Sequence, residues 1–285
     1  HQFSGLMQKR LFGTDGIRGK ANEHPMVPEV LLGVGRAIAH VAGRGKAHPP
    51  RILIGKDTRL SGYMIETALA SGITAMGGRV ILCGPVPTPA VAHLTVDMRA
   101  DAGIVISASH NPYDDNGVKV FGADGFKLPD EAEDEIEQLA LRDGLGPKHG
   151  MSIGRAEKQE DARGRYVVFA KRTFPQDLTL DGLRIVVDAA HGAAYRVAPM
   201  VFAELGANVT AIGVKPNGTN INKECGAMHP DHVRTEVVRR GAHMGVALDG
   251  DADRLILVDE KGQIVDGDAV MSMCAARMLE EGTLK

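Results

Sequence analysis

Twice along the chain, short apolar runs alternate with segments of helical period in one fixed order. That alternation limits the fold more than any single motif, because strands joined through helices form sheets whose faces those helices must cover. In the first half, residues 28–42 carry Val30, Leu31, Val34, Ile38 and Val41 at helical spacing, with Pro28 suited to a first turn. Residues 51–55 predict a strand, and Ser61 is expected to cap a helix bearing Ile65, Leu69, Ile73 and Met76. A strand at 79–83, a short helix at 88–96 and a strand at 103–106 follow. A hairpin at 118–128 turns at Ala123-Asp124-Gly125, ahead of an acidic helix at 131–142. Residues 144–163 lose periodicity and read as a linker. Beyond it come a strand at 183–187, a helix at 193–205, strands at 208–214 and 244–248 around a helix at 231–240, and a hairpin made of 255–258 and 263–265. The fold class expected is α/β: two consecutive domains, 8–155 and 160–266, each a mixed, mostly parallel sheet with helices on its faces. The halves share an order of elements without enough residue identity to be called a sequence repeat.

Composition narrows the function classes. At about 150 residues per domain, 285 residues suit two domains. Lys plus Arg is 33 against 36 for Asp plus Glu, a net charge of −3, so nothing in the balance favours a nucleic-acid backbone. Cys83, Cys225 and Cys274 are odd in number and widely spaced, which fits neither a disulfide framework nor a zinc cluster and suits a reducing, cytoplasmic setting. No apolar run is long enough to span a bilayer, so no membrane partner is expected. Residues 1–7 read as the remnant of an expression tag.

Two loops follow apolar strands, at the strand mouths where sheets of this type hold ligands. The first, Ser107-Ala108-Ser109-His110-Asn111-Pro112, sets hydroxyls, an imidazole and an amide behind a strand-stopping proline. It is either a nucleophile site or a turn whose side chains bond their own backbone. A strand-end hydroxyl such as Ser107 is more often structural than reactive. No G-x-S-x-G elbow surrounds either serine, which removes support for an esterase. The second loop is Asp249-Gly250-Asp251-Ala252-Asp253-Arg254. Alternation along an extended backbone is expected to put its three carboxylates on one face, where they repel unless a cation lies among them. All-oxygen donors select Mg²⁺ first, then Ca²⁺ or Mn²⁺; the bland alternative is a solvated acidic turn. An EF-hand is excluded, because its sixth position needs Gly and holds Arg254, and strands flank the loop. Equivalent loops in adjacent domains place the serine opposite the metal, and a phosphoserine would complete the ion's coordination and be activated for transfer.

Leu11-Phe12-Gly13-Thr14-Asp15-Gly16-Ile17-Arg18-Gly19, the loop 107–112 and the loop 249–254 together resemble, in this order, the α-D-phosphohexomutase superfamily. With Asn220-Ile221-Asn222 and Cys225-Gly226-Ala227-Met228-His229-Pro230, the chain is most similar to the phosphoglucosamine mutase branch. The resemblance implies that Ser109 is phosphorylated and that Asp249, Asp251 and Asp253, with a phosphate oxygen on Ser109, hold Mg²⁺. It gives Lys119, His110 and Arg18 the work of taking the hydroxyl proton and spreading charge, and Arg254 a contact to phosphate. Each of these four is otherwise an ordinary solvated or structural group. The reaction implied interconverts glucosamine 6-phosphate and glucosamine 1-phosphate through a bisphosphate, in amino-sugar nucleotide and cell-wall precursor synthesis. The implied partner is a phosphorylated amino sugar, with a homodimer among the expected assemblies.

Similar proteins have four domains, so residues 267–285 are expected to begin a third, and the chain by itself to fold, bind Mg²⁺ and turn over substrate poorly. In Lys56-Asp57-Thr58-Arg59-Leu60-Ser61-Gly62, Thr58 or Ser61 is expected to cap the next helix. The alternatives to this function are a phosphomannomutase or phosphoglucomutase, a metal-dependent phosphatase that releases phosphate, and a non-catalytic metal-binding module.

Overall fold

The computed structural model describes residues 11–142 and 144–284; the tag stretch 1–7 lies outside the described residues. The first half contains β1 (Phe12–Gly13), β2 (Gly16–Lys20), α1 (Pro28–Gly43), β3 (Arg51–Lys56), α2 (Gly62–Ala75) and β4 (Arg79–Pro85). It continues with α3 (Thr88–Asp97), β5 (Ala102–Ile106), β6 (Asp115–Gly122), α4 (Asp130–Ala140) and β7 (Arg155–Lys158). The sheet order is β1-β2-β6-β5-β3-β4-β7. The second half follows with α5 (Ala162–Arg172), β8 (Arg184–Asp188), α6 (Val197–Glu204), β9 (Asn208–Ile212), α7 (Asp231–Arg240), β10 (Met244–Leu248), β11 (Leu255–Asp259) and β12 (Ile264–Val265), in the sheet order β12-β11-β10-β8-β9. Helix α8 (Gly267–Glu280) closes the described chain.

Both sheets are mixed. Parallel pairing is confined to β5-β3-β4-β7 and to β10-β8-β9, while the remaining pairings are antiparallel, so antiparallel pairing is as prominent as parallel. The central strands read as continuous apolar runs because both of their faces are covered. Ile52 and Ile54 of β3 face a core made with Leu31, Val34 and Ile38 of α1 and Ile65, Leu69 and Ile73 of α2. Leu53, one residue out of phase, points to the other face with Val91 and Leu94 of α3. The second half repeats this: Ile185 and Val187 pack toward Ala198 of α6, and Val186 toward Val233 and Val237 of α7.

Several local expectations are revised. Residues 155–158, inside the stretch read as a linker, pair in parallel with β4, and α5 follows directly. Arg-Ala-Glu-Lys is exposed throughout, so this edge strand is held by its backbone and leaves no apolar signature. Helix α6 starts at Val197 rather than 193, because Ala190 and His191 adopt left-handed φ of 54° and 50° and the chain turns before the helix begins. Neither Thr58 nor Ser61 caps α2: the Thr58 hydroxyl donates to His191 O across to the second half, and Ser61 Oγ accepts from Asn116 Nδ2 (2.8 Å). Among the described residues, no helix is long and apolar enough to cross a membrane.

Candidate nucleophile and metal site

The loop after β5 is built around a buried cation. Arg59 is 1% exposed. It pairs with Asp57, and its Nη2 donates to the carbonyls of Asn111 (2.6 Å) and Ser109 (3.3 Å), gathering the turn around one guanidinium. Burial pushes the Asp57 carboxyl upward, and Arg59 and the Ser107 hydroxyl pull it back. Ser107 Oγ donates to Asp57 Oδ2 (2.5 Å) and accepts from Ser109 N (2.9 Å), which makes its hydroxyl structural. Ser109 itself sits at φ 52° in the left-handed region, uncommon for a residue with a side chain and often found where a scaffold aims a reacting group. Its hydroxyl donates to Asp249 Oδ2 (2.6 Å) and accepts from Arg254 Nη2 (3.1 Å), so the serine meets the acidic loop as expected.

The acidic loop converges by a different route from the one expected. It is a folded turn, not an extended strand: Ala252 N donates to Asp249 O (3.0 Å), Arg254 N donates to Asp249 Oδ1 (3.1 Å), and Ala252 has a φ of 55°. One carboxylate oxygen from each of Asp249, Asp251 and Asp253 lies within 4.8 Å of the others. Burial, then the neighbouring Asp251 charge, raises the Asp249 pKa to about 6. Asp251 Oδ2 accepts from the Thr88 hydroxyl (2.6 Å), while its Oδ1 is buried without a partner among the described residues. A buried, unpaired carboxylate oxygen beside two more carboxylates needs a positive charge, and an all-oxygen donor set suits a hard divalent cation. The residues fit a metal. Gly250 is required by proximity: a Cβ there would lie 2.4 Å from Ser109 O.

The remaining candidates ring this pair. Lys119 Nζ, on β6, lies 3.9 Å from Asp251 Oδ2 and 3.3 Å from Asp15 Oδ2. Arg18 Nη2 reaches Asp15 (2.5 Å) and its Nη1 donates to Ala108 O (3.2 Å). Burial raises the Asp15 carboxyl, but Lys119 and Arg18 outweigh it and hold the pKa below the ordinary value. Arg254 Nη2 donates to His110 Nδ1 (2.7 Å); burial, then Arg254 and Arg18, lowers the imidazole pKa. All eight residues singled out in the sequence therefore lie in one neighbourhood at the seam between the halves.

Five participants were not singled out for this work: Asp15, Asp57, Arg59, Thr88 and Asn222. The sequence held a signal for two of them, since an Asp-x-Arg directly after an apolar strand places a carboxylate and a cation at a strand mouth. Thr88 carries no local mark, and Asn222 only its place in the Asn220-Ile221-Asn222 stretch with no sign of this role, because their partners are 163 and 113 residues away.

The family model described as phosphoglucomutase/phosphomannomutase, alpha/beta/alpha domain I, matches residues 9–145, and that for domain II matches residues 165–262. A phosphoglucosamine mutase of Sorangium cellulosum is 68% identical over 278 residues, 97% of this chain and 58% of that protein. One of Myxococcus xanthus is 58% identical over 280 residues, 97% of this chain and 61% of that protein. A crystal structure of a phosphoglucomutase/phosphomannomutase family protein from Burkholderia thailandensis superposes with a TM-score of 0.81 at 27% identity, over 95% of this chain and 59% of that one. The chain spans about three fifths of the length of the curated relatives it matches.

Proposed function

Since the chain belongs to the phosphoglucomutase/phosphomannomutase family, we propose that it carries the phosphoserine and metal loops of an enzyme interconverting glucosamine 6-phosphate and glucosamine 1-phosphate. The observation that carries this reading is the Ser109 hydroxyl 2.6 Å from Asp249 within the acidic triad, with Arg254 on the same oxygen. The amino-sugar substrate is favoured over mannose or glucose phosphates by the relatives at 58% and 68% identity.

Asp249, Asp251 and Asp253 would hold Mg²⁺, with an oxygen of phosphorylated Ser109. When bound, the ion neutralises charge and polarises the phosphoryl group. The bond between phosphorus and Ser109 Oγ breaks as one to the sugar's free hydroxyl forms, and the hydroxyl proton passes to a nearby base. Lys119, His110 and Arg18 supply that base and spread the developing charge. Arg254 steadies the phosphate on Ser109. The bisphosphate then turns over, its other phosphorus–oxygen bond breaks, and Ser109 regains a phosphoryl group, so no outside donor is consumed.

The test is to incubate the protein with Mg²⁺ and a hexosamine 1,6-bisphosphate, following the mass of the Ser109 peptide and free inorganic phosphate. One phosphoryl group on that peptide, retained, is expected. Stoichiometric release of inorganic phosphate would instead make the protein a phosphatase, and a Ser109 peptide that never gains mass overturns the reading outright.

A further inference from the structure

Two contacts cross the seam in opposite senses. Thr88, the first residue of α3 in the first half, donates its hydroxyl to Asp251 Oδ2 (2.6 Å) and its backbone N–H to Asp251 O (2.9 Å). Asn222, in the second half, donates Nδ2 to the carbonyls of Ser109 (2.9 Å) and Asn111 (3.1 Å). Thr88 is 8% exposed, Asn222 7%, Asp251 1% and Ser109 1%, so all four sit inside the closed seam.

We propose that Thr88 and Asn222 are reciprocal positioning residues: the serine-bearing half orients a metal ligand, and the metal-bearing half orients the serine. The inference rests on the function proposed above. Thr88 fixes the rotation of the Asp251 carboxylate by holding Oδ2, and this leaves Oδ1, buried and unpartnered, as the oxygen offered to a cation. Partners that orient a metal ligand in this way commonly change metal affinity by about 10- to 100-fold. Asn222 acts on the backbone. Arg59 already gathers the Ser109 and Asn111 carbonyls from within their own half, so Asn222 adds the tie that fixes this turn relative to the acidic loop. The fit is close: a Cβ on Gly250 would meet both Ser109 O (2.4 Å) and Asn222 Nδ2 (2.8 Å).

Asn222 also has a φ of 57°, a conformation that asparagine and glycine tolerate well, so a purely conformational role must be separated from a donor role. Asn222→Gly does this, because it keeps the left-handed backbone and deletes the amide. Asn222→Asp keeps the shape and replaces the donors with an acceptor. Thr88→Val deletes the hydroxyl at nearly constant volume, and Thr88→Ser restores it.

Each variant is assayed for Mg²⁺ affinity by calorimetry, for Ser109 phosphorylation from a hexosamine 1,6-bisphosphate at saturating Mg²⁺, and for its melting curve. Thr88→Val is expected to weaken Mg²⁺ binding about 10-fold or more, with Thr88→Ser recovering most of it. Asn222→Gly and Asn222→Asp are expected to bind Mg²⁺ as the unsubstituted protein does, yet to phosphorylate Ser109 about 10- to 100-fold more slowly, the cost of a misplaced nucleophile. The proposal is overturned if Thr88→Val binds Mg²⁺ normally, if Thr88→Ser fails to recover affinity, or if Asn222→Gly phosphorylates at the unsubstituted rate. If the unsubstituted protein binds Mg²⁺ and takes up phosphate while all variants match it, only the positioning roles fall. If the unsubstituted protein does neither, the function proposed above falls with them.

Discussion

The two halves of the molecule share one wiring and differ in polarity. Strands β6-β5-β3-β4 and β11-β10-β8-β9 lie in the same order with the same relative directions. At the mouths of β3 and β8 a buried aspartate folds over its own turn: Asp57 Oδ1 accepts from Arg59 N and Asp188 Oδ1 from Ala190 N, both at 2.9 Å. The second carboxylate oxygen then steadies a neighbouring loop, through Ser107 Oγ (2.5 Å) in one case and Gly226 N (2.8 Å) in the other. The residue two positions beyond the aspartate separates them. In the first half it is Arg59, a cation that gathers carbonyl oxygens and presents a hydroxyl; in the second it is Ala190, and the nearby loop stays acidic. One backbone frame thus yields a turn that presents a hydroxyl and a turn that gathers carboxylates, and the function proposed above uses both.

Substitutions can break this comparison at its centre. The largest effect is expected from Ser109→Ala, which abolishes phosphoryl uptake by the peptide spanning residue 109 while leaving the acidic turn able to bind Mg²⁺; mass spectrometry and calorimetry read the two separately. The matched pair Asp57→Asn and Asp188→Asn asks whether the halves depend equally on their strand-end carboxylates. Asp57→Asn strands the buried Arg59 charge and is expected to cost about 3–5 kcal/mol in a denaturant titration. Asp188→Asn turns an amide donor toward one of two backbone donors, Ala190 N or Gly226 N, and is expected to cost about 1–3 kcal/mol. Equal losses would refute the idea that Arg59 sets the halves apart.

Smaller effects sharpen the contrast. Mg²⁺ at a hundredfold excess over its Kd should stabilise the protein by about 2.7 kcal/mol, seen as a raised Tm. Asp249→Asn should remove that increment and, by relieving like-charge repulsion, raise the metal-free Tm slightly. Thr58→Val loses a single hydroxyl contact across the seam, to His191 O, and should cost about 1 kcal/mol in the same scan.

What the sequence revealed and what it concealed follow from distance along the chain. Apolar runs covered on both faces mark the central strands, and residues clustered within a few positions of their ends mark both loops. The acidic convergence was legible although its stated cause was wrong: a turn with Ala252 in the left-handed region, rather than strand alternation, brings the carboxylates together. Thr58, Thr88 and Asn222 were illegible in these roles because each acts on a residue more than a hundred positions away, where no local pattern reaches. Strand β7 was missed because its pairing is backbone alone.

That edge strand also anchors the start of the chain segment that joins the two halves. Its hydrogen bonding runs to Gln159, whose N–H donates to Leu82 O (2.8 Å), and α5 begins at Ala162. Helix α5 buries Ala162 with Leu53 and Val91 of the first half and pairs its Lys171 with Glu204 of α6, so the free tether between the halves is residues 173–183, between α5 and β8. A leash this short keeps the effective concentration of one half near the other in the millimolar range or above. Individually weak bonds can then re-form after every transient separation, and each can be broken without the two turns drifting apart.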